Sequence, residues 1–322
     1  MQPGTTADGQ PKPAVHVGLI GMDIRRSLSP TLHETEAAHH GLHLRYELID
    51  VASAAVTPQT LPQLLNEARR RGFRGLNITY PFKHAVLPLL DSLSAEARAI
   101  GAVNTVLFDD GKATGHNTDA LGWSRAFQAA LPAADLRCVT LIGAGGAGSA
   151  VAHAALRSGV ARLLIHDRDQ KRAELLAHAL CTTHGAGCAS VVVHTDTSDT
   201  SNISDATTNT ATNTTTNAAL QTALKQSSGL IHASPTGMEK QPGLPLPPHC
   251  LHAGLWVSEV VYVPLETALL KAARAAGCRT VDGGGMAVWQ AAGAFELFTG
   301  KVPNAARMNA HFRACMALRT NA

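Results

Sequence analysis

The six residues Gly143-Ala144-Gly145-Gly146-Ala147-Gly148 constrain the fold of this chain more than any other segment. They separate an apolar run at 138–142, which reads as a buried strand, from an alanine-rich run at 149–158, which reads as a helix closed by Gly159. A G-x-G-x-x-G pattern in that setting makes a tight strand-to-helix turn, because glycine permits the backbone path and its missing side chain lets strand and helix approach. The junction belongs to a βαβ unit. The series continues as strand 162–166, helix 171–181, strand 229–233, a loop at 242–248 with four prolines, strand 255–261, helix 266–276 and a short extended piece at 279–281. Helices at 286–299 and 304–318 close the chain. Strands alternating with helices predict a parallel sheet covered on both faces.

A separate series precedes it: strand 15–20, helix 30–40 stopped by Gly41, strand 46–51, helix 61–71 closed by Gly72 and strand 75–79 running into Pro81. Helix 95–100, strand 103–108 and a hairpin partner at 112–115 follow. A chain of 322 residues suits two domains of about 100–200 residues each. The expected fold class is therefore α/β in two domains: an N-terminal α/β domain at 15–122, and a doubly wound, Rossmann-type parallel sheet at 123–284. Residues 1–14 read as a disordered tail with no secretory h-region. Residues 195–217 are almost free of apolar side chains and read as a flexible surface insertion. The last helices, 285–322, complete the division.

Aromatics make up 4% and the net charge is +3, which argues against nucleic acid as a partner. Arg69, Arg70 and Arg71 read as a solvated helix end. No apolar run approaches the roughly 20 residues of a membrane span. The six cysteines are scattered without CxxC spacing, which suits a reducing, cytoplasmic setting. The sixteen histidines form no HExxH or similar set, so no metal is expected. The expected partner is a small molecule, with the chain a monomer or a homodimer.

The glycine turn has a chemical reading beside the steric one. A helix N-terminus offers N–H donors and partial positive charge to a pyrophosphate, so Gly143, Ala144, Gly145, Gly146 and Ala147 are candidate dinucleotide contacts. The bland alternative is a turn without a ligand. Asp167 lies 24 residues after Gly143, at the end of the next strand. An acid there accepts hydrogen bonds from a ribose 2′-OH and repels a 2′-phosphate, which favours NAD. Arg168 beside it, with Lys171 and Arg172 nearby, would instead pair with a 2′-phosphate, which makes NADP the alternative.

In the first half, polar residues stand in apolar frames where strands end: Lys83 just past a proline turn, Asn104 between a helix and a strand, and Asp119 before a helix. Buried polar groups need partners. Lys83 and Asp119 read either as a structural ion pair or as a dyad that moves a proton to and from a substrate hydroxyl.

These segments together resemble the shikimate dehydrogenase family, and within it the NAD-using quinate/shikimate branch. The motifs are Ser27-Leu28-Ser29-Pro30 with His33, NITYPFK at 77–83, GAVNTV at 101–106, GHNTD at 115–119, GAGGAG at 143–148, HASPTGM at 232–238, EVVYVPLETALL at 259–270 and GGGMAVWQAAGAFELFTG at 283–300. They run in family order over most of 15–312. The resemblance implies a substrate domain and a coenzyme domain with a cleft between them, the C-terminal helices returning to the first domain. It assigns Lys83 and Asp119 as the catalytic pair and Ser27 and Ser29 as the hydroxyls for a substrate carboxylate. Thr79, Asn104, Tyr262 and Gln290 become substrate contacts, and Val260 and Gly283 lie beside the nicotinamide. The implied reaction is reversible NAD(P)-dependent reduction of 3-dehydroshikimate to shikimate, with quinate a further candidate substrate.

Glu34 and His232 stand where the family commonly has Asn, and His166-Asp167-Arg168 replaces the Asn-Arg-Ser/Thr of NADP-dependent members. Glu34 and the His166-Asp167-Arg168 replacement together favour the quinate/shikimate branch, the latter also opening the choice of coenzyme, whereas Ser29 keeps the hydroxyl of shikimate-specific members. The competing readings are an NADP-specific biosynthetic shikimate dehydrogenase without quinate activity, a methylene-tetrahydrofolate dehydrogenase-like enzyme, and a non-catalytic NAD-responsive binding protein. The methylene-tetrahydrofolate type lacks the Ser pair and the GHNTD motif. A sensor has no need to keep both Lys83 and Asp119.

Overall fold

The structure, a computed structural model, describes residues 15–52, 57, 59–193 and 211–320. The expected tail at 1–14 and positions 195–210 of the expected insertion lie outside the described residues. The chain divides into two compact units, Met1–Ala126 with Gly284–Ala322, and Phe127–Gly283.

Unit one is built on β1 (Val15–Gly21), α1 (Ser29–His39), β2 (Leu44–Asp50), α2 (Thr60–Arg70), β3 (Gly75–Ile78), β4 (Ser92–Leu93), α3 (Ala95–Ile100), β5 (Thr105–Asp109), β6 (Lys112–His116) and the start of α4 (Asp119–Ala130). Its sheet runs β2-β1-β3-β5-β6-β4. The first three strands are parallel, but β5 is antiparallel to both β3 and β6, so this sheet is mixed rather than wholly parallel. For β5 and β6 the local cause is the tight turn between them. Asp110 and Gly111 both take positive φ, 47° and 75°, the backbone of a two-residue hairpin that returns the chain at once.

Alternation along the strands feeds two apolar layers. Ile20, Leu76, Ile78, Phe82, Val103 and Val106 pack with Leu61 and Leu65 of α2. Val17, Leu19 and Tyr46 pack instead with Ala37 of α1 and with Ala294, Phe295 and Phe298 of α9 (Gly283–Thr299). The last helix, α10 (Ala305–Thr320), is tied to α1 by charge. Arg307 donates to both oxygens of buried Glu36 at 2.6 and 2.9 Å, and the Asn304 N–H adds a third bond at 2.8 Å. Burial pushes the Glu36 carboxyl up, but these donors and His40 outweigh it and hold the group below its ordinary value.

Unit two contains β7 (Val139–Ile142), α5 (Gly146–Arg157), β8 (Leu163–His166), α6 (Gln170–His184), β9 (Ala189–Val191), α7 (Ala211–Gln226), β10 (Gly229–His232), β11 (Trp256–Glu259), α8 (Ala268–Ala275) and β12 (Arg279–Val281). Its sheet is parallel throughout in the order β12-β11-β10-β7-β8-β9. Counted within the unit this is 6-5-4-1-2-3, the doubly wound order whose switch point lies between its first and fourth strands, β7 and β10. One expectation changes here. Residues 211–217, the end of the expected insertion, belong to helix α7. Threonine and asparagine are weak helix formers, but buried Leu220, Ala223 and Leu224 further along α7 are spaced to pack it on the sheet.

Candidate active site

The polar centre of unit one is assembled at strand ends. Asn104, directly before β5, receives an N–H bond from Ile78 on its carbonyl at 2.8 Å and donates its own N–H to the His116 carbonyl at 3.1 Å. It is thus pinned between β3 and β6. Its side chain is fully used within the protein. Oδ1 accepts from the Thr118 N–H at 2.8 Å and the Thr105 hydroxyl at 3.0 Å, and Nδ2 donates to Thr118 Oγ1 at 2.9 Å and Asp119 Oδ1 at 3.0 Å. The other Asp119 oxygen, Oδ2, accepts from Lys83 Nζ at 2.5 Å. Lys83 is 17% and Asp119 7% exposed. Lys83 is itself fixed through its carbonyl, which accepts from the Val103 N–H at 2.9 Å. The structure therefore joins Lys83, Asp119 and Asn104, and Gln290 Oε1 approaches Asn104 Nδ2 at 3.5 Å.

Three further residues that motif reading did not single out complete the frame. Asn117 Oδ1 accepts from the Asp119 N–H at 3.0 Å, while its amide donates to the Ala102 carbonyl at 2.9 Å, fixing the entry to α4. Asn77 receives the Tyr46 hydroxyl at 2.8 Å and donates to Thr105 Oγ1 at 3.0 Å. The signal for Asn77 was available: one amide inside the apolar strand Gly75–Ile78 demands a buried partner. Burial also lowers His116 below its ordinary value.

Ser27 and Ser29 flank the start of α1. Ser27 Oγ lies 3.1 Å from Ser29 Oγ and accepts from the Ser29 N–H at 3.2 Å. The N-cap residue Leu28 makes no side-chain bond, but the Ser27 hydroxyl takes the Ser29 N–H and Pro30 has none, so what this turn offers an anion is chiefly its two half-buried hydroxyls. Thr79 is half-buried at the end of β3, its N–H bonded to the Ile20 carbonyl at 2.9 Å. Tyr262 follows β11 in unit two and is also half-buried.

In unit two the glycines of the turn differ in what surrounds them. A Cβ on Gly143, whose φ is +106°, would lie 2.7 Å from the Ala233 carbonyl, and one on Gly148 would lie 1.9 Å from the Gly143 oxygen. Those two serve packing. A Cβ on Gly145 would meet nothing within 4 Å, and its φ of −80° is open to any residue. No described residue requires glycine there, and the open space leaves room for a group that approaches the backbone. Gly145 caps α5 with no side-chain bond. The turn therefore fits a pyrophosphate. Gly146 and Ala147 form the first residues of α5, so the helix begins inside the glycine run rather than after it.

Asp167 stands directly after β8. Its Oδ2 accepts from the Ala144 N–H at 2.6 Å and its Oδ1 from the Asp169 N–H at 2.9 Å, which anchors the acid against the glycine turn. Arg168 is exposed. On the other side of β7, Val260 follows β11, and a Cβ on Gly283 would lie 2.4 Å from the Val260 oxygen.

A parallel sheet of this order, with a glycine-built turn at its switch point and an acid after its second strand, is a Rossmann-type dinucleotide fold. Together with the Lys83–Asp119 pair of the other unit it defines a two-domain α/β oxidoreductase. Comparison with known proteins makes the family specific. Residues 19–106 match the shikimate dehydrogenase substrate binding domain, and residues 283–311 the shikimate 5′-dehydrogenase C-terminal domain. A shikimate dehydrogenase (NADP(+)) of Streptomyces avermitilis is 49% identical over 91% of this chain and 92% of its own length. A quinate/shikimate dehydrogenase (NAD(+)) of Corynebacterium efficiens is 41% identical over 93% and 98%. The structure of quinate dehydrogenase from Corynebacterium glutamicum in complex with NAD superposes with a TM-score of 0.80 at 39% identity, covering 94% of this chain and 99% of that one. The chain belongs to the shikimate dehydrogenase family.

Proposed function

We propose that the chain catalyses reversible NAD(P)-dependent reduction of 3-dehydroshikimate to shikimate, with quinate as a second substrate and NAD as the favoured coenzyme. The observation that carries the reading is the Lys83–Asp119 contact at 2.5 Å, with Asn104 on the far oxygen of the same carboxylate. A bound nicotinamide supplies or accepts the hydride. Lys83 handles the proton. As an ammonium it donates to the carbonyl oxygen during reduction, and as an amine it accepts the hydroxyl proton during oxidation. Asp119 holds Nζ in place, and Asn104, its amide hydrogens committed to Asp119 and Thr118, acts here as a positioning residue.

The hydroxyls of Ser27 and Ser29, half-buried at the start of α1, suit a substrate carboxylate. Thr79, Gln290 and Tyr262 suit ring hydroxyls. A site built to hydrogen-bond hydroxyls discriminates strongly against analogues that lack them. Val260 and Gly283 are assigned beside the nicotinamide, and Gly143–Ala147 beneath the pyrophosphate.

Asp167 supports NAD: held by two backbone N–H groups, its carboxylate would accept from a ribose 2′-OH and repel a 2′-phosphate. The second reading is NADP with shikimate alone. It is favoured by the exposed guanidinium of Arg168 and by the name of the Streptomyces avermitilis relative. Initial rates of shikimate and quinate oxidation, each with NAD and with NADP, decide between them. Turnover of both acids with NAD supports the first reading. Turnover of shikimate alone with NADP replaces it with the second, and no turnover with either acid removes both.

A further inference from the structure

We propose that His232 and Glu259 are a buried positioning pair that sets the nicotinamide end of the dinucleotide site. The inference rests on the dinucleotide reading of unit two. In a doubly wound sheet the ligand lies across the carboxyl ends of the strands at the switch point, and the acid after the second strand marks the ribose of the adenosine half. Asp167 after β8 is that acid. The opposite end then falls over β10 and β11, on the other side of β7.

His232 and Glu259 are the last residues of β10 and β11 and are register partners, so both side chains leave the sheet on one face. Both are 0% exposed. Glu259 meets three groups. Oε1 pairs with His232 Nδ1 at 2.8 Å and accepts from the Val261 N–H at 3.0 Å, and Oε2 accepts from the Thr267 hydroxyl at 3.1 Å. With the carboxylate taking the Nδ1 hydrogen, the imidazole is held in one orientation and turns Nε2 to Ser234 Oγ at 2.6 Å.

Each contact ends on a wall of the proposed site. Ser234 belongs to the turn that abuts the first glycine, where a Cβ on Gly143 would lie 2.8 Å from the Ser234 nitrogen. Val261 belongs to the turn that abuts Gly283, where a Cβ would lie 2.6 Å from the Val261 oxygen. Thr267 caps α8 by accepting from the Leu270 N–H at 3.2 Å. One carboxylate thus fixes the exits of two adjacent strands and the helix that follows them. An apolar pair would fill this interior at a smaller desolvation cost but would leave both turns free to shift. What the polar pair adds is orientation.

The test compares a full coenzyme with its nicotinamide-free fragment. Kd values for NADH and NADPH are read by fluorescence, and Kd for ADP-ribose (or its 2′-phosphate, if NADPH is the tighter ligand) by displacement. The proteins are wild type, Glu259→Gln, Ser234→Ala and Ser234→Thr, with Tm measured alongside. Losing one charge-assisted contact in the relay should weaken the reduced coenzyme by about tenfold in Glu259→Gln, while the fragment stays within about twofold. Ser234→Ala should move the same ratio in the same direction, and Ser234→Thr, which keeps the hydroxyl, should restore it. Equal weakening of coenzyme and fragment, or no weakening of either, overturns the positioning role. If Glu259→Gln does not fold, the half-buried Ser234 variants carry the same comparison. Failure of the dinucleotide reading itself looks different, because wild type would then bind neither ligand.

Discussion

Replacing Lys83 separates a structural ion pair from a proton-transfer dyad. Lys83 Nζ meets Asp119 Oδ2 at 2.5 Å, and the pair is 17% and 7% exposed. Removing one partner of a fully buried pair costs about 3–5 kcal/mol. Here Asp119 keeps the Asn104 amide on Oδ1 at 3.0 Å, and Lys83 is open enough for water to replace its ammonium, so the expected loss in Lys83→Ala is about 1–3 kcal/mol. For a unit of this size that lowers Tm by about 3–10 °C. Turnover should fall far more, by about 10²–10⁴-fold, the usual contribution of a positioned acid–base group. The informative comparison adds Asp119→Ala and the double variant, measured by thermal melts, coenzyme titration and initial rates. In the double variant no buried charge is left unpaired, so stability should return part of the way to wild type while turnover stays low. Lys83→Ala retaining turnover within about tenfold of wild type, with coenzyme affinity unchanged, would refute the acid–base assignment and leave a structural ion pair.

Other consequences are equally direct. His33 is buried among Tyr46, Phe295 and Phe298, neither ring nitrogen has a hydrogen-bond partner among the described residues, and burial alone lowers its pKa to about 3. The unfolded chain therefore takes up a proton near pH 6.5 that the fold refuses until about pH 3, so stability falls by about 1.4 kcal/mol per pH unit as pH drops through that window. His33→Leu should remove the share of His33 in that slope and leave the share of His153, whose pKa burial lowers to about 4, and urea midpoints at pH 7.5 and pH 5 that change in parallel for the two proteins would contradict it. Gly145→Thr should leave Tm nearly unchanged and weaken coenzyme binding, because its Cβ points into open space and threonine caps a helix about as well as glycine. Gly148→Ala should lower both, because its Cβ meets the Gly143 oxygen at 1.9 Å, and melts with coenzyme titration separate the two outcomes. Arg307→Ala removes two bonds from buried Glu36 and should speed amide exchange in α10 without changing coenzyme Kd, measured by hydrogen exchange and titration.

The sequence by itself determined what local chemistry controls. A glycine run between a strand and a helix can make few other structures, and the order of strands and helices led to the parallel sheet of unit two. Lys83, Asn104 and Asp119 stood out because polar groups in apolar frames need partners, although their residue types left ion pair and dyad equally open. Tertiary structure decided which partners they found. Asn104 meets Asp119 only because β3 and β6 grip its backbone from both sides, and β5 and β6 reverse only because Asp110 and Gly111 accept positive φ. Gly143 and Gly145 are indistinguishable in the motif, yet one is forced by Ala233 and the other by no described residue. The pairs His232–Glu259 and Glu36–Arg307, 27 and 271 residues apart, carry no periodicity or motif that links them. Parallel register brings the first together and the return of the last helix brings the second. Such contacts belong to the packing of distant segments, and no local pattern encodes them.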